Sequence, residues 1–93
     1  MLEQGHRTRT PRIELFWVSN AVGHPRLGVI VPRYGASAPA RNRLRRRLRE
    51  RARRLLSALA PLDLVIRARI EAYSAPGRDL AEDIERWVRS FGN

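Results

Sequence analysis

The sequence contains no cysteine and no lysine, and it has only two histidines, His6 and His24. Without cysteine the chain forms no disulfide and no thiolate metal site, and two isolated histidines do not match the usual histidine-rich zinc arrangements. No run approaches the ~20 apolar residues that span a bilayer, and the N-terminus lacks the apolar segment of a signal peptide. We therefore expect a soluble, cytoplasmic protein without membrane association, and the 93 residues predict one domain over residues 1–93.

The residue patterns of known catalytic sites are missing as well. There is no cysteine nucleophile, no Ser-His-Asp set, no metal-ligand cluster and no glycine-rich phosphate loop. The acids Glu82, Asp83 and Glu85 are interpreted as the solvated face of a helix rather than as a general acid/base pair. The sequence therefore predicts no catalytic residue and no metal ligand in this chain, so any catalysis would use the chemical groups of a partner.

Positive charge is the dominant feature of what is present. The 19 basic residues exceed the 9 acidic ones, the formal net charge is +10, and every basic residue is arginine. A field of this sign concentrates the protein near polyanions. Guanidinium groups also bind phosphate through two hydrogen bonds and stack on nucleobases.

Hydrophobic periodicity predicts three long strands, at residues 12–19, 26–31 and 62–69, and a short edge strand at 7–10. Helical periodicity extends from residue 39 to a stop at Pro61, and again over residues 78–91, with a loop at 70–77. A turn at 20–25 predicts that the first two long strands form an antiparallel hairpin. The order of elements indicates an α+β two-layer sandwich, with a mainly antiparallel sheet and helices on one face.

The first helix has leucines on one side and arginines around the rest. Ser37 is its predicted N-cap, and the apolar stripe consists of Leu44, Leu48, Ala52, Leu55, Leu56 and Leu59. Residues 41–54 contain nine arginines and a single acid, Glu50. The residues away from the stripe form two flanks, Asn42, Arg46, Arg49 and Arg53 on one, and Arg43, Arg47 and Arg54 on the other. Like charges this close repel, so the pattern favours a polyanion-binding face over an ordinary solvated one.

The predicted strands each have one apolar face, which we assign to the core: Ile13, Leu15 and Trp17; Leu27, Val29 and Val31; Leu64, Ile66 and Ala68. The opposite faces carry Phe16 and Val18; Arg26 and Ile30; Val65, Arg67 and Arg69. A sheet face that mixes an aromatic ring with arginines is suited to stacking the bases and holding the phosphates of a single strand. An exposed face with arginines extended into solvent explains the same alternation equally well.

Two stretches of the sequence resemble the protein subunit of bacterial ribonuclease P. Residues 26–33 read RLGVIVPR, similar to the family's strand R-x-G-x-x-V, and residues 40–50 read ARNRLRRRLRE, similar to its helix signature RNR-x-(K/R)-R-x-x-R-E. The positions that match this helix signature are Arg41, Asn42, Arg43, Arg45, Arg46, Arg49 and Glu50. Asp63 to Arg69 also resembles the family's strand that ends in Ala-Arg, so the resemblance covers nearly the whole chain.

The resemblance implies a ribonuclease P protein-like topology, with a left-handed crossover around the long helix. It also implies a non-catalytic partner of a catalytic RNA, which itself hydrolyses precursor tRNA with Mg²⁺ to give the mature 5′ end. The RNA-docking residues carried over from the family are Arg41, Asn42, Arg43, Arg45, Arg46 and Arg49. The residues carried over for binding the 5′ leader are Phe16, Arg33, Arg67 and Arg69. The implied partners are the catalytic RNA, with one protein per RNA, and precursor tRNA, and Mg²⁺ is held mainly by the RNA.

The sequence departs from the family pattern at four places. Residues 1–5 resemble only the end of the family's first helix, so we expect most of that helix to be missing. Pro32 occupies the place of a serine, Tyr34 that of a second basic residue, and Arg67 that of an apolar residue.

Two other interpretations of the chain are a general structural RNA-binding module and a basic amphipathic helix on an anionic membrane. The membrane reading is the weaker one, because the leucine stripe is narrow and the core needs it.

Overall fold

Four strands and two helices form an α+β fold in the computed structural model, which describes residues 5–57 and 61–90. The elements are β1 (His6–Arg9), β2 (Ile13–Ser19), β3 (Arg26–Ile30), α1 (Ala38–Leu56), β4 (Leu62–Ala68), a 3-10 turn (Ile70–Tyr73) and α2 (Gly77–Arg89). The predicted α+β class is confirmed, and the predicted loop at 70–77 contains the 3-10 turn and the start of α2. Residues 1–4, Leu59 and Phe91, for which the sequence makes predictions, lie outside the described residues.

The strands are ordered β1-β2-β4-β3 in a single sheet. β2 pairs antiparallel with β1 and with β4, whereas β3 pairs parallel with β4. The predicted hairpin between β2 and β3 is therefore wrong. Every second residue of β4, from Leu62 to Ala68, is buried. A strand that is buried along its whole length fits best at the centre of a sheet, where both of its edges are hydrogen-bonded to neighbouring strands. The chain reaches that position through α1, which connects the two parallel strands.

The hydrophobic core lies between one face of the sheet and the two helices. The predicted apolar faces of the strands are confirmed: Ile13, Leu15, Leu64 and Ile66 are fully buried, and Trp17, Leu27 and Val29 pack against them. α1 contributes Leu44, Leu48, Ala52 and Leu56, and α2 contributes Leu80, Ile84 and Trp87. Both helices pack on this side, so neither of them covers the other face of the sheet, which we call the open face.

Asp83 of α2 is buried rather than solvated. Its residue is 2% exposed, and its carboxylate accepts hydrogen bonds from Thr10 Oγ1 at 2.9 Å and from Arg12 Nη1 at 3.0 Å. The prediction of a solvated acidic face is therefore wrong at this position, because Asp83 lies beside Ile84 on the side of α2 that packs against the β1–β2 connection. Glu82 and Glu85 do pair on the helix surface, with Arg86 and Arg89 one turn later.

The start of α1 is fixed by a side-chain cap. Ser37 Oγ accepts the backbone N–H of Ala40 at 3.3 Å, and Pro39 occupies the first turn, where its missing N–H needs no partner. The predicted N-cap is confirmed. The helix ends at Leu56 with Ser57 as C-cap, ahead of Pro61.

Replacing Ser37 with alanine is expected to lower the free energy of unfolding by about 1 kcal/mol, because the N–H of Ala40 loses its acceptor. Urea unfolding followed by circular dichroism measures this change. Ser57→Ala at the other end of α1 is the matched control and is expected to change stability by less than about 0.5 kcal/mol, since Ser57 Oγ is an exposed donor at 3.4 Å from Arg54 O. Equal losses in both variants would contradict the capping role.

Candidate nucleic-acid interface

The exposed surface of α1 is almost entirely arginine. Leu44 and Leu48 point into the core, and the helical repeat then directs most of the intervening residues outward. From the second turn onward the exposed positions are Asn42, Arg43, Arg46, Arg47, Arg49, Glu50, Arg53 and Arg54. α1 thus combines a buried leucine stripe with an exposed cationic surface, as the sequence predicts.

Most of these arginines line two shallow grooves along α1. The larger groove has a volume of about 420 Å³ and is lined by Asn42, Arg45, Arg46, Arg49, Glu50 and Arg53. The smaller, of about 90 Å³, is lined by Ala40, Arg43, Leu44, Arg47 and Tyr73. The first flank inferred from the helical repeat lines the larger groove, and Arg43 and Arg47 of the second flank line the smaller one, to which Tyr73 adds an aromatic ring.

No acid among the described residues neutralises the positive charge of α1. The ion pairs among residues 5–57 and 61–90 are made by Arg12, Arg26, Arg69, Arg78, Arg86 and Arg89. None of these arginines belongs to α1, and Glu50 takes part in none of the pairs. The exposed α1 guanidinium groups consequently remain available to an external anion.

Arg41 differs from the other arginines of α1. Its Nε donates a hydrogen bond to Val31 O at 2.7 Å, and the residue is half-buried. This bond ties the first turn of the helix to the end of β3. Of the six residues that the resemblance assigns to RNA docking, Arg41 therefore already has a role in the fold.

The open face of the sheet presents a row of residues that crosses all four strands. The register places Arg7 opposite Phe16, Phe16 opposite Val65, and Val65 opposite Gly28. The Arg7 guanidinium carbon lies 5.8 Å from the centre of the Phe16 ring, within the range of a cation–π contact. Phe16, predicted from its strand alternation, is thus accompanied by Arg7 and Gly28. Sequence reasoning missed both residues, although the Arg7–Thr8–Arg9 alternation was a signal for Arg7.

Arg67 lies in the next row of the same face. It is exposed, and the register places it between Glu14 on β2 and Ile30 on β3. Arg33 is exposed in a turn after β3, closed by the hydrogen bond from Ala36 N to Arg33 O at 2.7 Å. Phe16 and Arg67 are therefore brought to one surface, with Arg33 on the chain that leaves it.

Arg69 is engaged in the fold. Its Nη1 donates to Thr10 O at 3.1 Å, and its Nη2 lies 4.0 Å from a carboxylate oxygen of Glu71. It is half-buried at the end of β4. Among the four residues that the resemblance assigns to the leader, Arg69 is the one that the structure ties to a neighbouring backbone.

An ion pair lies on the open face where β3 and β4 begin. Arg26 donates from Nε and Nη2 to the two carboxylate oxygens of Asp63, each at 2.7 Å, and Asn20 Nδ2 donates to the same carboxylate at 2.9 Å. The hydrogen bond from Arg26 holds the pKa of Asp63 below its usual range, and that from Asn20 adds to the effect. The same pairing raises the pKa of Arg26. Arg26 is thus held in place by Asp63 on the open face.

Among residues 5–57 and 61–90, no three or more His, Cys, Asp or Glu side chains are grouped so that they could hold a metal ion. Neither α1 nor α2 has the length and hydrophobicity of a membrane-spanning helix.

Known proteins resemble this chain over nearly its whole length. A family model described as Ribonuclease P matches residues 1–92. The ribonuclease P protein component of Cronobacter sakazakii is 34% identical over 91 residues, which cover 96% of this chain and 76% of the relative. The corresponding protein of Klebsiella pneumoniae has the same identity and coverage.

Solved structures share the fold. The RNase P protein of Staphylococcus aureus superposes with a TM-score of 0.82 at 23% identity, covering 98% of this chain and 84% of that chain. The RNase P protein of Thermotoga maritima superposes with a TM-score of 0.80 at 21% identity, covering 95% of this chain and 84% of that chain.

Proposed function

This chain belongs to the ribonuclease P protein family, and from that premise we propose how it acts as the protein subunit of a ribonucleoprotein that processes tRNA. In this proposal α1 binds the catalytic RNA, and the open face of the sheet binds the 5′ leader of precursor tRNA. The observation that carries the proposal is the exposed arginine surface of α1, which no acid within the described residues neutralises. RNA phosphates supply the missing negative charge.

The two surfaces of the protein suit different forms of RNA. α1 offers point contacts to phosphates, which position an RNA without reading its bases, and we assign to it Asn42, Arg43, Arg45, Arg46 and Arg49, with Arg41 supporting the first turn. The sheet face offers Phe16 with Arg67 and Arg33 beside it, and a ring of this kind stacks bases of a single strand. The leader is single-stranded, so it presents such bases. Arg69 then contributes to the leader surface by holding the β1–β2 connection.

We assign the hydrolysis to the RNA, with Mg²⁺ held by RNA phosphates. The described carboxylates support this assignment, because Asp63 and Asp83 are held by arginines. The other described acids do not form a group of three or more that could hold a metal ion. The protein lowers the repulsion between the catalytic RNA and its substrate, so less Mg²⁺ is needed for both to bind. One protein per RNA is sufficient for these roles, and we place the assembly in the cytoplasm.

The protein is expected to stimulate cleavage of precursor tRNA by the cognate catalytic RNA at low Mg²⁺. Single-turnover cleavage with and without the protein, over a Mg²⁺ series, measures this effect. Phe16→Ala is expected to weaken binding of leader-bearing substrate by about 1–3 kcal/mol for the lost base stacking, while mature tRNA binding is unchanged. Val18→Ala, on the same face of β2, is the matched control and should retain the leader preference.

Two outcomes would overturn parts of this proposal. Equal binding to unrelated structured RNAs, without stimulation of cleavage, would instead fit a general RNA-binding module. Stimulation with an unchanged leader preference in Phe16→Ala would retain the subunit role but remove Phe16 from the leader surface.

A further inference from the structure

Gly28 lies at the end of the row that crosses the open face of the sheet. Its neighbours along β3, Leu27 and Val29, pack against the core, so Gly28 is directed to the open side. Across the sheet it lies opposite Val65 of β4, which in turn lies opposite Phe16 of β2. The position is therefore part of the surface that we propose for the leader.

Neither the backbone nor crowding explains a glycine at this position. Among the described glycines, Gly23 and Gly35 have a positive φ, whereas Gly28 does not. A Cβ built on Gly28 would lie 3.6 Å from Val65 Cγ2, an ordinary van der Waals contact. Since glycine weakens the interior of a strand, a larger residue would suit the fold of β3 better.

The missing side chain produces a notch in the open face. Two residues away along β3, Arg26 and Ile30 are both exposed, and Asp63 fixes Arg26 through two hydrogen bonds of 2.7 Å. Between these two walls the floor consists of the Gly28 backbone and the Val65 side chain. Neither of them offers a polar side chain, and the exposed Arg67, opposite Ile30, adds a positive charge beside them.

We infer that Gly28 determines specificity by leaving space for one unpaired nucleobase of the leader beside the base stacked on Phe16. Phe16 and Gly28 lie on the two neighbours of β4, so about two interstrand spacings, or roughly 10 Å, separate them. The two positions therefore hold different bases of one strand. A paired base in a duplex does not expose its face, so the notch selects single-stranded RNA. This inference rests on the proposed leader binding.

The test compares substitutions of graded size in the full-length protein assembled with its catalytic RNA. Gly28→Val fills the notch and is expected to weaken binding of leader-bearing precursor tRNA about 5-fold, the lower end of the range for a lost base contact, because the notch holds no aromatic ring. Gly28→Ala is expected to have an intermediate effect. Both variants should unfold at the wild-type temperature or above it, and they should bind the catalytic RNA and mature tRNA as the wild type does. Ala21→Val is the matched control, because it also introduces a valine but at an exposed position outside the sheet.

The outcomes separate this inference from the proposal on which it rests. If Phe16→Ala weakens leader binding while both Gly28 variants bind normally, the notch is not used and the leader surface remains. If Phe16→Ala and Gly28→Val both leave leader binding intact, the leader surface itself is wrong. If Gly28→Val lowers the unfolding temperature, only the Gly28→Ala result is used. Normal leader binding by the folded Gly28→Ala protein then overturns the inference.

Discussion

Removing two arginines from the larger groove of α1 is expected to weaken binding of the protein to its catalytic RNA by about 100-fold. Each charge-assisted hydrogen bond to phosphate contributes at least about 1.5 kcal/mol, and Arg46 and Arg49 are both exposed in the same groove. The double variant Arg46→Ala/Arg49→Ala, titrated against labelled RNA at fixed Mg²⁺, measures the loss. Because the leucine stripe is unchanged, the variant should remain folded.

The dependence on salt provides a second readout of the same variant. If about five phosphates are neutralised, log K falls with log salt at a slope near −4, so affinity drops roughly 200- to 500-fold between 50 and 200 mM. The double variant should reduce that slope by about two. Arg86→Ala/Arg89→Ala removes the same charge from α2, where both arginines pair with glutamates, and serves as the control. Equal losses in the two double variants would mean that net charge alone, rather than docking through α1, governs the affinity.

Arg12→Ala is expected to lower the free energy of unfolding by about 3–5 kcal/mol, the largest loss of stability that we predict for a polar residue. The Asp83 side chain is 3% exposed, and without Arg12 its charge would keep only the hydrogen bond from Thr10. The loss measured by urea unfolding should be partly reversed in Arg12→Ala/Asp83→Asn, since the remaining carboxamide carries no charge.

A surface arginine from the same region is the control for this prediction. Arg78 pairs with Asp79 at 3.9 Å, but its side chain is 87% exposed, so Arg78→Ala should change stability by less than about 0.5 kcal/mol. A comparable small change in Arg12→Ala would show that solvent reaches Asp83 and that the pair does not fasten α2 to the sheet.

The features that the sequence predicted correctly depend on short-range periodicity. The alternation over β2 and β4 and the leucine stripe of α1 are each contained within a single element, so they identify the buried faces without knowledge of the partner. The cap at Ser37 is equally local. The exposure of Arg46 and Arg49 follows from the stripe, and for that reason the main candidate surface was visible in the sequence.

The features that the sequence did not predict depend on residues far apart in the chain. A turn between β2 and β3 favours a hairpin locally, and only the long return through α1 brings β4 between them. Asp83 has the same local pattern as a solvated acid because its partner, Arg12, is 71 residues away. Arg7, Phe16 and Gly28 become one row only when the register of all four strands is known.

The central place of β4 has a consequence for how the protein folds during synthesis. β4 is the last strand to leave the ribosome, and until residue 68 has been made neither β2 nor β3 has its inner neighbour. The nascent chain therefore presents the apolar sides of two unsupported strands while the arginine-rich helix is already complete. Because such long-range pairing is slow, we expect the apolar sides of β2 and β3 to stay accessible to chaperones until β4 has been made.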